Sequence, residues 1–211
     1  MTKIWWANIA ERWLLCFFNV GRALARRSLT FCSIDIAGPR PDLFHVYFDL
    51  EKSMKASRLR LIMNIWFPFL FSGIRITKFS EDFRYVKVEL RSRWYNKNYV
   101  GTHFGGSLFA MTDPFWMIMI LRTIGKEYVV WDKAGEIEFV KPGRGLVTAE
   151  FKLEEHMLEE LRHAAADNQK VLRWFDIPVI DSKGELVAKV RKQIYVRLKP
   201  AKNRETADSK V

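Results

Sequence analysis

Between residues 4 and 27 the polar positions Asn8, Glu11, Arg12, Asn19, Arg22 and Arg26 share one helical stripe, while Trp5, Trp6, Ile9, Trp13, Leu14, Phe17, Phe18 and Leu24 fill the rest. This predicts an amphipathic helix with a wide aromatic face. The stretch Gly38-Pro-Arg-Pro-Asp42 is turn chemistry and marks a boundary. From Arg58 to Phe71, Leu59, Leu61, Ile62, Ile65, Trp66, Phe69 and Leu70 recur at helical spacing, and Pro68 and Gly73 bend or end the run. Then the period changes. Val86, Val88 and Leu90 alternate with Lys87, Glu89 and Arg91, which predicts a strand over about 83–94 with one buried face.

Gly105–Ile124 is almost wholly apolar and long enough for five helical turns, so it reads as a buried helix. Beyond it, 128–140, 146–153, 171–180 and 186–198 read as strands, separated by Lys141-Pro-Gly-Arg-Gly145, a short helix near 154–166, and Asp181-Ser-Lys-Gly184. Helix early and strands late is a segregated α+β pattern, in which an antiparallel sheet has one face to cover and one apolar helix to cover it. The expected organisation is an N-terminal extension over 1–55, an α+β domain over 56–200 and a polar tail over 201–211. Trp and Phe opposite an Arg-bearing stripe at 4–27 suit peripheral contact with a membrane headgroup layer, and equally a helix that packs on its own domain or on a partner. A translation start at Met54 would remove the segment altogether.

Charge and composition narrow the function. Of 211 residues, 35 are Lys or Arg and 24 Asp or Glu, a formal net charge of +11, and 49% are hydrophobic. Disorder and collagen-like repeats are excluded. The excess charge is spread along the chain, and no finger, RNP-like box or basic zipper accompanies it. Nucleic acid is therefore not an expected partner; phosphate-bearing small molecules or anionic lipid are. Cys16 and Cys32 with His45, His103, His156 and His163 make no metal-ligand pattern, so no metal and no cofactor is expected, and the compartment reads as reducing and cytoplasmic. The longest apolar run, Phe115–Leu121, is far shorter than the 18–20 residues or so that a bilayer span needs.

The chemistry concentrates between Asn98 and Asp113. Paired glycines at a helix start leave the free N–H groups uncovered by any Cβ, so an oxygen with developing negative charge can approach them. Close helix–strand packing calls for the same residues. This segment resembles the Asn…His-Gly-Gly…Asp stretch of hotdog-fold acyl-CoA thioesterases of the phenylacetate-pathway type. It resembles more closely an uncharacterised bacterial branch of that superfamily named as tetrameric acyl-CoA thioesterases, over about residues 58–199. The runs that carry the likeness are Trp94-Tyr-Asn-Lys-Asn98 with Gly101-Thr-His-Phe-Gly-Gly-Ser-Leu108, Val130-Trp-Asp-Lys-Ala134, and Lys141-Pro-Gly-Arg-Gly145.

The resemblance implies a hotdog fold, a curved antiparallel sheet around a long central helix, assembled as a homodimer or homotetramer and hydrolysing an acyl-CoA thioester. By position it implies that Gly105 and Gly106 polarise the thioester carbonyl, that Asp113 attacks or activates water, and that Asn98 positions substrate or water. His103, Phe104 and Ser107 are then expected beside the substrate. Two departures stand out. The family's histidine directly precedes the glycines, whereas here Phe104 intervenes after His103, and Pro114 is expected to kink the helix beside the carboxylate. The alternative to an enzyme is a non-catalytic acyl- or acyl-CoA-binding protein at a membrane surface.

Spacing adds a consequence of its own. Asp113 lies eight residues beyond Gly105, roughly 12 Å along one helix, too far for both to meet one thioester carbon. Two antiparallel copies would bring the glycines of one to the acid of the other. Among Met111, Phe115 and Trp116, desolvation is expected to raise the Asp113 pKa; capping or pairing with an arginine is the structural alternative. Asp132 and Lys133 fall on opposite faces of a strand, and for both a structural salt bridge is preferred. Lys141, Arg144 and Arg122 are candidates for the coenzyme A phosphates.

Overall fold

Two strands alternate without a fault: β2 (Tyr85–Arg91) and β4 (Leu146–Lys152) each bury every second residue, and they pair antiparallel from Tyr85 opposite Lys152 to Arg91 opposite Leu146. Period-2 burial on this scale requires a covered face, and the computed structural model, which describes residues 54–200, supplies one. These residues belong to the compact unit Phe44–Val211. The amphipathic helix expected at 4–27 and the tail 201–211 lie outside the described residues.

The described elements run α1 (Ala56–Ile65), α2 (Phe67–Ser72), β1 (Ile74–Phe79), β2, α3 (Gly105–Ala110), α4 (Phe115–Thr123), β3 (Tyr128–Phe139), β4, α5 (Glu155–Ala164), β5 (Val171–Asp181) and β6 (Leu186–Leu198). The six strands form one sheet in the order β1-β2-β4-β5-β6-β3, with every pair antiparallel. α4 lies on β3 and β6. Its Phe115 ring stands 5.1 Å from Phe151 of β4, and Trp116 stacks on Phe175 of β5 at 4.6 Å. Burying each such side chain stabilises the fold by about 1.5–3 kcal/mol.

Three expectations are corrected. The helix expected over Arg58–Phe71 is two helices, because the chain leaves the helical region at Trp66 (ψ 127°) before Phe67 starts the second, with Pro68 in its first turn. Gly73, at φ 78°, then turns the chain into β1, a strand that the sequence reading did not assign. The Asn64 amide locks this corner, accepting from the Ile76 N–H at 2.7 Å and donating to the Ile76 carbonyl at 3.0 Å. Glu81 receives the first N–H groups of α1, from Ala56 at 3.2 Å and Ser57 at 3.1 Å, and the Ser57 hydroxyl first, then these N–H groups, hold its carboxyl below the ordinary value.

The third correction bears on function. The five-turn helix expected over Gly105–Ile124 is interrupted: α3 stops at Ala110, Met111–Pro114 are non-helical, and α4 begins at Phe115. Pro114 has no N–H to continue the ladder, so it ends one helix and starts the next rather than bending a single rod. The strands at 128–139, 146–152, 171–181 and 186–198 agree with the expected ones to within a residue or two.

Candidate active site

The loop that delivers α3 is pinned by its own polar side chains. The Asn98 Nδ2 donates to Thr102 Oγ1 at 2.9 Å and to the His103 carbonyl at 3.2 Å, while its Oδ1 accepts the Thr102 N–H at 3.0 Å. Both ends of this amide are engaged within the loop. His103 is 3% exposed, and its Nε2 lies 3.0 Å from the Gly145 carbonyl; a carbonyl only accepts, so Nε2 carries the proton. Burial lowers the His103 pKa despite that bond, which leaves the ring neutral at pH 7 with Nδ1 unpartnered. The histidine thus orients the start of α3 and is covered from solvent.

Phe104 is the N-cap of α3, exposed, with its ring lying over Gly106. Gly105 meets the ring of Phe139, the last residue of β3; a Cβ there would stand 2.8 Å from Cζ. Packing therefore accounts for both glycines, and their N–H groups are in the first turn, where a helix offers no acceptor. Ser107 is buried one turn in. The helix runs along β3 from the Phe139 end, Phe109 crosses Gly135 at mid-strand, and the α3–α4 break arrives beside Asp132.

At that break stands Asp113. The burial expected for it is not found: its side chain is 52% exposed. Beneath it is Lys192 of β6, a residue the sequence reading missed, 5% exposed, whose Nζ donates to Asp113 Oδ1. The same ammonium is 3.9 Å from Asp132 Oδ1 and 5.1 Å from the centroid of the Phe109 ring. The expectation of a structural ion pair at Asp132 thus has a partner, although Asp132 Oδ1 makes no hydrogen bond. Burial pushes the Asp132 carboxyl up to about 6, with Lys192 opposing and Asp113 adding to the rise.

A bulge makes this arrangement fit. Between Asp132 and Ala134 the β3–β6 register shifts, so that Asp132 opposes Ile194 while Gly135 opposes Lys192. One extra residue swaps the facing parity, which lets Asp132 and Gly135 both look toward the helices although their numbers differ by three. Gly135 keeps that slot open, since a Cβ there would come 2.6 Å from Phe109 Cζ and 3.2 Å from Lys192 Cδ.

A family model described as a domain of unknown function (DUF4442) matches residues 55–196. The chain belongs to the DUF4442 family. No curated protein matches it. Among solved structures, a Pseudomonas aeruginosa protein of unknown function, described as a probable thioesterase, is similar at 20% identity and a TM-score of 0.61, over 69% of this chain and 97% of that one. A Chlorobaculum tepidum protein of unknown function is similar at 14% identity and a TM-score of 0.54, over 69% of this chain and 94% of the other. A Haemophilus influenzae thioesterase is similar at 14% identity and a TM-score of 0.50, over 70% and 94%. At these identities the likeness establishes the fold alone, a six-stranded antiparallel sheet packed with helices in a hotdog-like arrangement.

Within this DUF4442 domain the predicted residues fall into two groups. Gly105, Gly106 and Phe104 gather at the Phe139 end of α3, and Asp113 stands at the other end with Lys192 and Asp132. Asn98 and His103 belong to the loop beneath the first group. Of the three cations considered for phosphates, Lys141 pairs with Asp181 and Glu185, and Arg122 donates to the Met54 carbonyl. Arg144 is exposed. Among the described residues no group of His, Cys, Asp and Glu is arranged to hold a metal ion, and no helix is long and apolar enough to cross a membrane. Chemically, the domain offers a half-open carboxylate fixed from below by a buried cation, and a glycine helix start at the opposite end.

Proposed function

We propose that this chain hydrolyses the thioester of an acyl-CoA at a site shared by two copies. The observation that carries the reading is Asp113, a half-exposed carboxylate held through Oδ1 while Oδ2 has no bond among the described residues. Oδ2 takes a proton from a water whose oxygen bonds to the thioester carbon; the carbonyl electrons move onto oxygen and are met by the Gly105 and Gly106 N–H groups. As the tetrahedral intermediate collapses, the C–S bond breaks and the thiolate leaves, taking up the proton.

Within one chain Gly105 lies against Phe139 at one end of α3 while Asp113 stands beyond the other end, bonded to Lys192, so on this reading the glycines come from the partner. Among the described residues β3 ends the strand order, and its outer edge is where a second copy would pair. A homodimer is the minimal unit, and a tetramer is a pair of dimers. Asp113→Asn should lower thiol release from acyl-CoA by at least about 100-fold at unchanged mass in solution; equal turnover would overturn the assignment.

One observation favours a second reading, a non-catalytic acyl-CoA-binding protein at a membrane surface: the Asn98 amide is taken up by loop hydrogen bonds, and the His103 ring is buried and bonded through Nε2 to the Gly145 carbonyl. That reading expects acyl-CoA binding without thiol release, and partition onto anionic vesicles that depends on residues 4–27.

A further inference from the structure

Strand β6 turns Val190, Lys192, Ile194 and Val196 to the buried face, all 5% exposed or less. Three are apolar, as the position requires. The fourth carries an ammonium, and a buried ammonium persists only where it is paired. Replacing such a pair by apolar residues commonly leaves stability equal or higher, so stability alone is a poor account of Lys192. Its stem passes beside Gly135, Phe109 lies over it, and its ammonium is bonded to one carboxylate, Asp113, and stands 3.9 Å from an oxygen of a second, Asp132. Asp113 is bonded and open to solvent; Asp132 has a buried Oδ1 that makes no hydrogen bond.

We propose that Lys192 is the positioning residue for Asp113, fixing its carboxylate toward solvent and substrate, and that Asp132 competes for the same ammonium. The proposal rests on reading Asp113 as the water-activating group. The charged groups that act on Asp132 are Lys192 from β6 and Asp113 from the α3–α4 break; Lys133, its neighbour on β3, is exposed. When Asp132 is protonated, Lys192 belongs to Asp113 alone. When Asp132 ionises, the ammonium is drawn between two anions and the Asp113 carboxylate is held less firmly. Turnover should therefore fall as pH rises through about 6, on a limb that belongs to Asp132.

The test uses the full chain and two independent readouts. In acyl-CoA hydrolysis, Lys192→Met should lower kcat by about 100-fold with KM and thermal midpoint nearly unchanged, because a methionine suits the apolar slot. Lys192→Arg should recover most of the loss, and Asp132→Asn should abolish the limb near pH 6. A purely structural lysine would give the opposite split, a lowered midpoint with kcat retained, and that result overturns the proposal. The second readout is the carboxyl-carbon NMR titration of Asp132, which should move up in Lys192→Met and down in Asp113→Asn. If wild type releases no thiol from any acyl-CoA, the hydrolase reading and the catalytic role of Lys192 both fall, and competition for the ammonium is decided by the titration alone. An Asp132 midpoint that neither variant moves overturns that competition, whatever the activity.

Discussion

β4 and β3 are strands of one sheet, yet they end up in opposite circumstances. The inward residues of β4, Val147, Ala149 and Phe151, are all 0% exposed. Along β3 coverage fades: Tyr128 and Val130 are buried beneath α4, Asp132 is partly covered, and Phe139 at the far end is 56% exposed although its ring touches Gly105. The difference comes from Pro114. Because it divides the helix, nine residues of α4 cover one end of β3 and only six of α3 reach along the other. A closed core thus grades into an open face within a single strand, and the Asp113, Lys192 and Asp132 charges stand at the border.

The closed side should be the more fragile. Phe151→Ala removes a ring packed on Phe115 and Trp116 at 0% exposure, and should cost about 3–5 kcal/mol in denaturant unfolding. An effect below about 1 kcal/mol would mean that β4 is no better packed than the open end of β3, and the contrast would fail.

At the border the expected effect depends on pH, and its sign is fixed by the direction of the shift. The Asp132 carboxyl is raised from 3.8 to about 6, so the folded chain holds a proton that the unfolded chain has already released. Stability from this group is complete below pH 4, declines as pH rises toward 6, and stays lower above it by at most about 3 kcal/mol. Asp132→Asn cannot ionise. Its unfolding free energy should lack that slope and exceed wild type above pH 6, measured by denaturant melts from pH 4 to 8. A slope that persists in the variant would assign the proton to another group.

How much of this was legible in the sequence follows from the same contrast. The four later strands could be read because each is an apolar-rich run of seven residues or more bounded by turn signals, which leaves little choice. β1 has six residues between a helix cap and a turn, too few repeats to stand out. Asp113 and the two glycines stand out as candidates because they sit in one local motif. Lys192 could not: 79 residues separate it from Asp113, and a lysine among strand residues looks like any solvated one. One signal was available. In Val190-Arg-Lys-Gln-Ile194 the apolar phase puts Lys192 inward and Arg191 outward, which marks it as a buried charge in need of a partner. Pro114 gave notice of a bend, but whether a helix kinks or stops depends on the contacts on either side.

The smallest effect is expected at the open end, where the sheet and α3 touch through one ring. Phe139→Ala should change stability by no more than about 0.5 kcal/mol, because an exposed side chain has little burial to lose. Gly105→Ala in the wild-type background brings a Cβ to 2.8 Å from Phe139 Cζ, so that ring must swing away. Combining the two removes the conflict. The double mutant should therefore be more stable than the sum of the single changes predicts, by about 0.5 kcal/mol or more, in a denaturant cycle run at one pH. Strict additivity would mean that Phe139 already leaves Gly105 free, that the first turn of α3 is uncovered, and that packing no longer explains why position 105 is glycine. The need for an approaching oxygen to reach the Gly105 N–H would then be the stronger account of that residue.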